Sequence, residues 1–364
     1  MASLDFYSEY AISFEQEVDD LVNGRGRYKE IDDVMVKASL LSTALDRDGL
    51  KDYTKVGDKN STSGLKLLTH DCPAYDAQIK CRLSEMQLMG LNRSLGITNL
   101  PERTVALEIP ITLEKPFISR DDVPLYIIDA PARKDKIFGV PVTSAMAWKG
   151  NLRWTMMKLF LESRRDDPED FLKTRIEHTI LFGTEKVTRN AGKTGWAKYM
   201  DDLCPLAKSE YRNQLKALFN MESIPNLEGH LHFYPTFWNK IDLDIINPHD
   251  RTTGAGTNPI HLEIVPAGAK GVFRLLHVPF HGKKPDGTNL FNTLIEIVQG
   301  LKEMMLTYGF SAKKTSGFGI IKENWDAKVA CLKVNGFDKV PKKFSNFDEL
   351  IGNLKALHNT SSGD

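Results

Sequence analysis

The sequence of 364 residues is poor in cysteine, has no surplus of either charge and contains no long apolar run. Each shortage removes a class of protein. The four cysteines, Cys72, Cys81, Cys204 and Cys331, form no CxxC pair and show no Cys/His ligand spacing. That argues against a structural zinc site and a secreted disulfide scaffold, and fits reduced thiols. No stretch approaches the ~20 apolar residues that a membrane-spanning helix needs. The opening MASLDFYSEYAISFEQEVDD is acidic, whereas a secretory signal starts basic and then turns apolar. A soluble cytoplasmic protein with no membrane partner is expected. Basic and acidic side chains balance at 48 each, so any nucleic-acid surface must be local and cannot rest on bulk charge. Neither a Walker A loop nor a dinucleotide fingerprint opening a helix is present, which sets ATP and NAD aside.

At 41% hydrophobic, the chain can bury a substantial core without disulfides or metals. Residues 1–103 read as a helical N-terminal extension, with apolar residues at helical spacing in EIDDVMVKASLLSTAL and AYDAQIKCRLSEMQLMGL. Period-two alternation in TVALEIPITLEKPF then predicts a half-buried strand. An irregular stretch ends at Ser144, a candidate N-cap, and an amphipathic helix runs on to about Ser163. Residues 166–228 are charged and helical in pattern and read as an insertion. Strand patterns return in GHLHFYPTF, NPIHLEIVPAG and KGVFRLLHVPF, the last two spaced as a β-hairpin. The stretch FWNKIDLDIINPHDRTTGAGT before that hairpin is too rich in Asn, Asp, Pro and Gly for regular structure and reads as a long loop. A second amphipathic helix, a glycine-rich segment, the strand KVACLKV and a C-terminal helix and tail over 346–364 complete the chain. The order strand, helix, strands, helix, strand predicts an α+β fold with a ferredoxin-like, RRM-like core over 104–165 and 229–345.

Two basic features stand at opposite ends of this core. Lys149 and Arg153, four residues apart near a helix N-terminus, share one face that suits a phosphate backbone, and Gly150 between them leaves room for close approach. A solvated basic face is the plainer explanation of that pair alone. The loop from Gly309 to Gly319 offers Lys313, Lys314, Ser316, Gly317 and Gly319, whose ammonium, hydroxyl and backbone N–H groups are all phosphate partners. A flexible turn explains such a loop equally simply.

As a set these features resemble the CRISPR RAMP superfamily, over about residues 104–340. Its Pro-x-x-Ser-Ser-x-Lys-Gly-x-x-Arg signature is matched by Pro141 to Arg153, with extra residues and with Trp148 where the family usually has a small or aliphatic side chain. The family's C-terminal glycine-rich loop resembles Gly309 to Gly319. The segment NPHDRTTGAGTNPIHLEIVPAGAKGVFRL, with His249, is similar to a loop and hairpin of type III members, especially the end-capping subunit of the III-B complex. The resemblance implies a subunit that binds guide RNA (crRNA) and target RNA beside other effector subunits. It further implies that Asp129, in the position of the slicing aspartate of type III backbone subunits, cleaves target RNA with Mg2+ or Mn2+, while Arg133 and Lys134 offset phosphate charge. An Asx-type turn is the bland account of Asp129, and a solvated turn that of Asp121 and Asp122. A non-catalytic RNA-binding cap is the alternative function. A third reading, processing of guide precursor, usually relies on His or Lys acid-base groups near the start of the core, and no histidine lies between Arg103 and Glu177. His230 and His232 alternate on a strand without ligand spacing. Phe233, Tyr234, Phe237, Trp238 and Phe318 are stacking candidates, at least half of which must be core.

Overall fold

The alternation from Thr104 onward produces the central strand of the molecule. In the computed structural model, the described residues are all but 1–4, 48, 71, 124, 185–194, 224–225, 248–251, 253, 255, 257–258, 280–289, 338–342 and 362–364. Strands are β1 (Val105–Thr112), β2 (Val142–Thr143), β3 (Leu231–Phe233), β4 (Thr236–Phe237), β5 (Asp242–Ile246), β6 (Ile260–Ile264), β7 (Lys270–His277) and β8 (Cys331–Val334). A four-stranded sheet has the order β3-β7-β1-β8, with every pairing antiparallel. Two short ladders, β2 with β4 and β5 with β6, stand outside it.

One face of this sheet is apolar and covered by helices. Val105, Leu107, Ile109 and Ile111 of β1, Phe273 and Leu275 of β7, Leu231 of β3 and Leu332 and Val334 of β8 form one buried cluster with three helices. These are α7 (Ala145–Met156), α11 (Leu290–Glu303) and α12 (Phe347–Ser361). The opposite face holds Glu108 and Arg274, paired in register and joined at 3.0 Å. Residues 92–100 lie over them. Arg274 donates to Asn92 at 2.6 Å, Leu95 N–H donates to Glu108 at 3.0 Å, and Ile97, Leu95 and Leu100 pack with Ala106, Leu276 and Val278.

The N-terminal region folds into α1 (Phe6–Glu9), α2 (Glu15–Asn23), α3 (Val34–Leu41), α4 (Leu50–Val56), α5 (Gly64–Thr69) and α6 (Pro73–Leu88). Asp33 caps α3 by accepting from Met35 and Val36 N–H. Their core also takes in Ile127, Ile128, Ala132 and Val140 from the irregular segment after β1, Ile241 just before β5 and Leu243 within it. The region from 166 to 228 contributes α8 (Pro168–Phe182), α9 (Trp196–Leu203) and α10 (Lys208–Phe219), which bury their own cluster against Met157 and Leu161 beyond α7. No helix among the described residues is long and apolar enough to cross a membrane.

Two elements differ from the sequence reading. Part of the expected long loop is β5, in which Leu243 is buried between Asp242 and Asp244. The hairpin expected between β6 and β7 does not form, because β6 pairs with β5 while β7 pairs with β1 and β3. The chain changes layers at Val265, which bridges to Phe117.

Two buried imidazoles make the fold acid-sensitive. Burial lowers the pKa of His178 on α8 and of His277 on β7 to about 3, with Arg153 adding to the effect at the first and His230 at the second. Both stay neutral in the folded chain, whereas the unfolded chain binds a proton at each below about pH 6.5. The stability they contribute is therefore complete above that pH and is lost as pH falls toward 3. Urea unfolding at a series of pH values should show this decline, and His277→Leu should make it shallower. An unchanged slope in that variant would remove His277 from the account.

Candidate nucleic-acid interface

The ladder between β2 and β4 delivers the chain to Ser144, whose hydroxyl accepts the Ala147 N–H at 3.2 Å and starts α7. Trp148, Leu152, Thr155 and Met156 form the buried face of that helix. At about 100° per residue, Lys149 and Arg153 lie on one flank and Asn151 and Trp154 on the other. Met146, 85% exposed, and Gly150, around whose position a Cβ would meet nothing within 4 Å, form the open ridge between the flanks. Lys149 is half-buried, and its pKa is lowered by burial and by Arg153, against the opposing pull of Glu228.

The loop from Gly309 to Gly319 closes on the second flank. Lys314 Nζ donates to Asn151 Oδ1 across 163 residues of sequence and sits 4.9 Å from the centroid of the Trp154 ring. Asn151 Nδ2 donates to the carbonyls of Ala147 at 2.8 Å and Phe310 at 3.3 Å, so one amide holds the helix and the loop together. Burial lowers the Lys314 pKa. Lys313 and Ser316 are exposed, and Gly317 leaves open space. Gly319 has a different task. Its φ of +75° is joined by contact so close that a Cβ would lie 2.5 Å from Ser311 Cβ and 2.6 Å from Ser311 N.

The same loop packs on the root of the segment that carries Asp129. Gly319 N–H donates to Pro116 O at 2.8 Å, Ala312 N–H to Ile118 O at 3.2 Å, and Ile118 N–H to Ser311 Oγ at 2.7 Å. Phe318 and Ala130 pack on one small cluster around Ile118. Asp129 and Arg133 are exposed, and neither side chain is bonded among the described residues. Lys134 differs from the phosphate partner expected of it. Its ammonium is bonded to Glu263, a fully buried carboxylate on β6, and lies 5.0 Å from the Tyr126 ring centroid. Glu263 also accepts the Ala132 N–H at 3.0 Å, so this pair anchors the loop beneath Asp129.

Asp121 accepts from the Asp122 N–H at 3.1 Å, as a turn residue does. His249 lies outside the described residues. His230 and His277 meet edge to face at 5.4 Å, with His232 half-buried beside Glu228 at 4.0 Å. No group of three potential metal ligands occurs among the described residues. The aromatic candidates all serve apolar clusters: Trp238 and Phe233 in the sheet core, Phe237 with the N-terminal helices, Tyr234 against the covered face and Phe318 around Ile118. Asn151, Trp154 and Glu263 were not singled out from sequence. The i, i+3 spacing of Asn151 and Trp154 was the available signal for the first two, and none pointed to Glu263.

Gly319→Ala should therefore lower the melting temperature by more than Gly317→Ala, which meets only the ~1–2 kcal/mol cost of left-handed backbone. Equal melting temperatures would mean the loop can shift away from Ser311 without loss.

No family model matches this sequence, and no curated protein matches it. Among solved structures, the chain is similar to one from a cryo-EM structure of the type III-B Cmr-beta bound to cognate target RNA, with 12% identity over 87% of this chain and 99% of that one and a TM-score of 0.40.

Proposed function

We propose that this chain is an RNA-binding subunit of a type III CRISPR ribonucleoprotein, built on a ferredoxin-like core that binds guide RNA and complementary target RNA beside other effector subunits. Supporting the core assignment is the run β1, α7, β3, β7, α11, β8, with the sheet order β3-β7-β1-β8 and helices on one face. The observation that carries the functional reading is the junction at the glycine-rich loop, where α7, the loop and the root of the Asp129 segment meet through Lys314, Asn151 and Ile118.

On this reading the guide backbone follows Lys149, Arg153, Lys313, Ser316 and Gly317, and target RNA passes over Asp129 and Arg133. Contact is with phosphate and shape while base pairing reads the sequence. RRM domains stack bases on an open sheet. Here that face is covered by residues 92–100, which leaves the helix-and-loop side for RNA. His249 stays a candidate on sequence alone.

Metal-dependent cleavage by Asp129 is a second reading, favoured by the exposure of its carboxylate. Mg2+ is commonly held by one or two carboxylates plus substrate phosphate and water, and Asp129 can supply one such ligand. A bound Mg2+ or Mn2+ would polarise the scissile phosphate. Asp129 would hold that ion, and Arg133 would offset charge on the phosphate.

Anisotropy titrations of a single-stranded RNA at several salt concentrations test the binding. The triple variant Lys149→Ala, Arg153→Ala, Lys313→Ala should lower the slope of log K against log salt by about two. Absence of RNA binding by the wild type, or an unchanged slope, would refute the reading. Cleavage of guide-complementary RNA by the assembled complex, in magnesium and in chelator, tests Asp129→Ala. Loss of a metal-dependent cut identifies a slicing subunit, and an unchanged cut identifies a non-catalytic cap.

A further inference from the structure

The flank of α7 that receives the glycine-rich loop continues as an unbroken line of cations and aromatic rings onto the helical insertion. Lys314 lies 4.9 Å from the Trp154 ring centroid on one side of the line. Lys158, four residues further along, lies 5.9 Å from the same indole and 5.6 Å from the ring of Tyr199 on α9, whose hydroxyl it meets at 3.1 Å. Trp154, Lys158, Tyr199 and Lys314 are all half-buried, so each keeps part of its surface open. Trp154 is steadied from below by Tyr308, edge to face at 5.1 Å.

We propose that single-stranded RNA runs along this strip, from the glycine-rich loop over Trp154 to Tyr199, which makes the helical insertion part of the RNA-binding surface. The inference rests on the RNA-binding reading above and extends it to a new element and a strand state. Alternating cations and rings suit an unpaired strand, because its phosphates need ammonium groups and its free bases offer π faces that a duplex keeps stacked inside. The ammonium groups are also preorganised. Held against rings and, for Lys158, against Glu162, they have lost rotamer freedom during folding, so a phosphate contact costs less ordering than one made by a freely moving lysine. Cation–π attraction positions the Lys314 ammonium without neutralising it, whereas Lys158 reaches the strip already paired with Glu162.

Binding of labelled oligouridylate to the full chain, measured across salt concentrations, tests the strip. Tyr199→Phe keeps the ring and should bind as the wild type does. Tyr199→Leu should bind about tenfold more weakly at every salt concentration with an unchanged slope, because stacking and not charge is lost. Lys158→Gln should instead reduce the slope by about 0.7. If the slope responds to the Lys149, Arg153, Lys313 triple variant while Tyr199→Leu is silent, the strip is overturned and the wider reading stands. If the wild type shows no salt-dependent RNA binding, both fall. Should Tyr199→Leu melt early, ultraviolet crosslinking of the wild type decides. Adducts on the Tyr199 or Trp154 peptide support the strip, and adducts confined elsewhere overturn it.

Discussion

The architecture depends on one aromatic node. Trp148, fully buried, stands 4.4 Å from the Phe310 ring and 5.0 Å from Phe273, while Trp238 stacks on Phe310 at 6.4 Å and Phe117 closes the group at 5.6 Å from Phe310. These five rings come from the segment after β1, α7, the residue after β4, β7 and the glycine-rich loop. Each indole N–H is also satisfied, Trp148 by Thr236 at 3.1 Å and Trp238 by Thr143 at 2.9 Å. A buried Trp replaced by Ala typically costs about 3–5 kcal/mol, and here the loss would fall where sheet, helix and loop are fastened together. The size of Trp148 thus has a physical account. The ring fills the space between α7 and the loop and fixes which flank of the helix the loop can reach.

The second constraint is the buried charge on the other face of the sheet. Glu108 meets Arg274 at 3.0 Å, and Lys333 donates to Leu95 O at 2.7 Å from the neighbouring strand. Breaking such a pair commonly costs ~3–5 kcal/mol because the remaining charge has no partner, although the intact pair need not add net stability. Its use here is positional. It recruits residues 92–100 as a cover, and that cover turns the sheet into a two-sided core. The cations of the candidate interface accordingly stand on the helix side, on α7, the glycine-rich loop and the segment after β1.

The regular elements were legible where local pattern and burial agree. β1 forms where its alternation places it, although residues 92–100 bury its second face as well and the strand is not half-buried; Ser144 caps α7 as its residue type suggests, and both long amphipathic helices fall where their apolar spacing places them. Pairing between distant strands was not legible. The β6–β7 segment carries hairpin spacing, yet its two strands belong to different sheets because Val265 finds Phe117 across the chain. β5 was hidden by the Asn, Asp, Pro and Gly around it, and its Asp242 is taken up by His70 of the N-terminal region at 2.8 Å, a partner 172 residues away. Of the aromatic candidates only Trp238 is fully buried, and Phe233, Tyr234, Phe237 and Phe318 pack against apolar clusters while staying half-buried.

The cations show the same limit most sharply, because a lysine's role is set by the carboxylate or ring it meets. Arg133 and Lys134 are neighbours in sequence with nearly identical prospects. Lys134 meets Glu263, 129 residues away and fully buried, and becomes an anchor, while Arg133 stays exposed. Lys313 and Lys314 divide likewise, since Lys313 takes a left-handed φ of 56° and points its residue into solvent exposure while Lys314 is drawn to Asn151 and Trp154. In a chain with 48 charges of each sign, pairing is the default fate of a cation. Which cations of such a chain remain open to a phosphate is therefore decided largely by tertiary contacts, as Lys134 and Lys314 show.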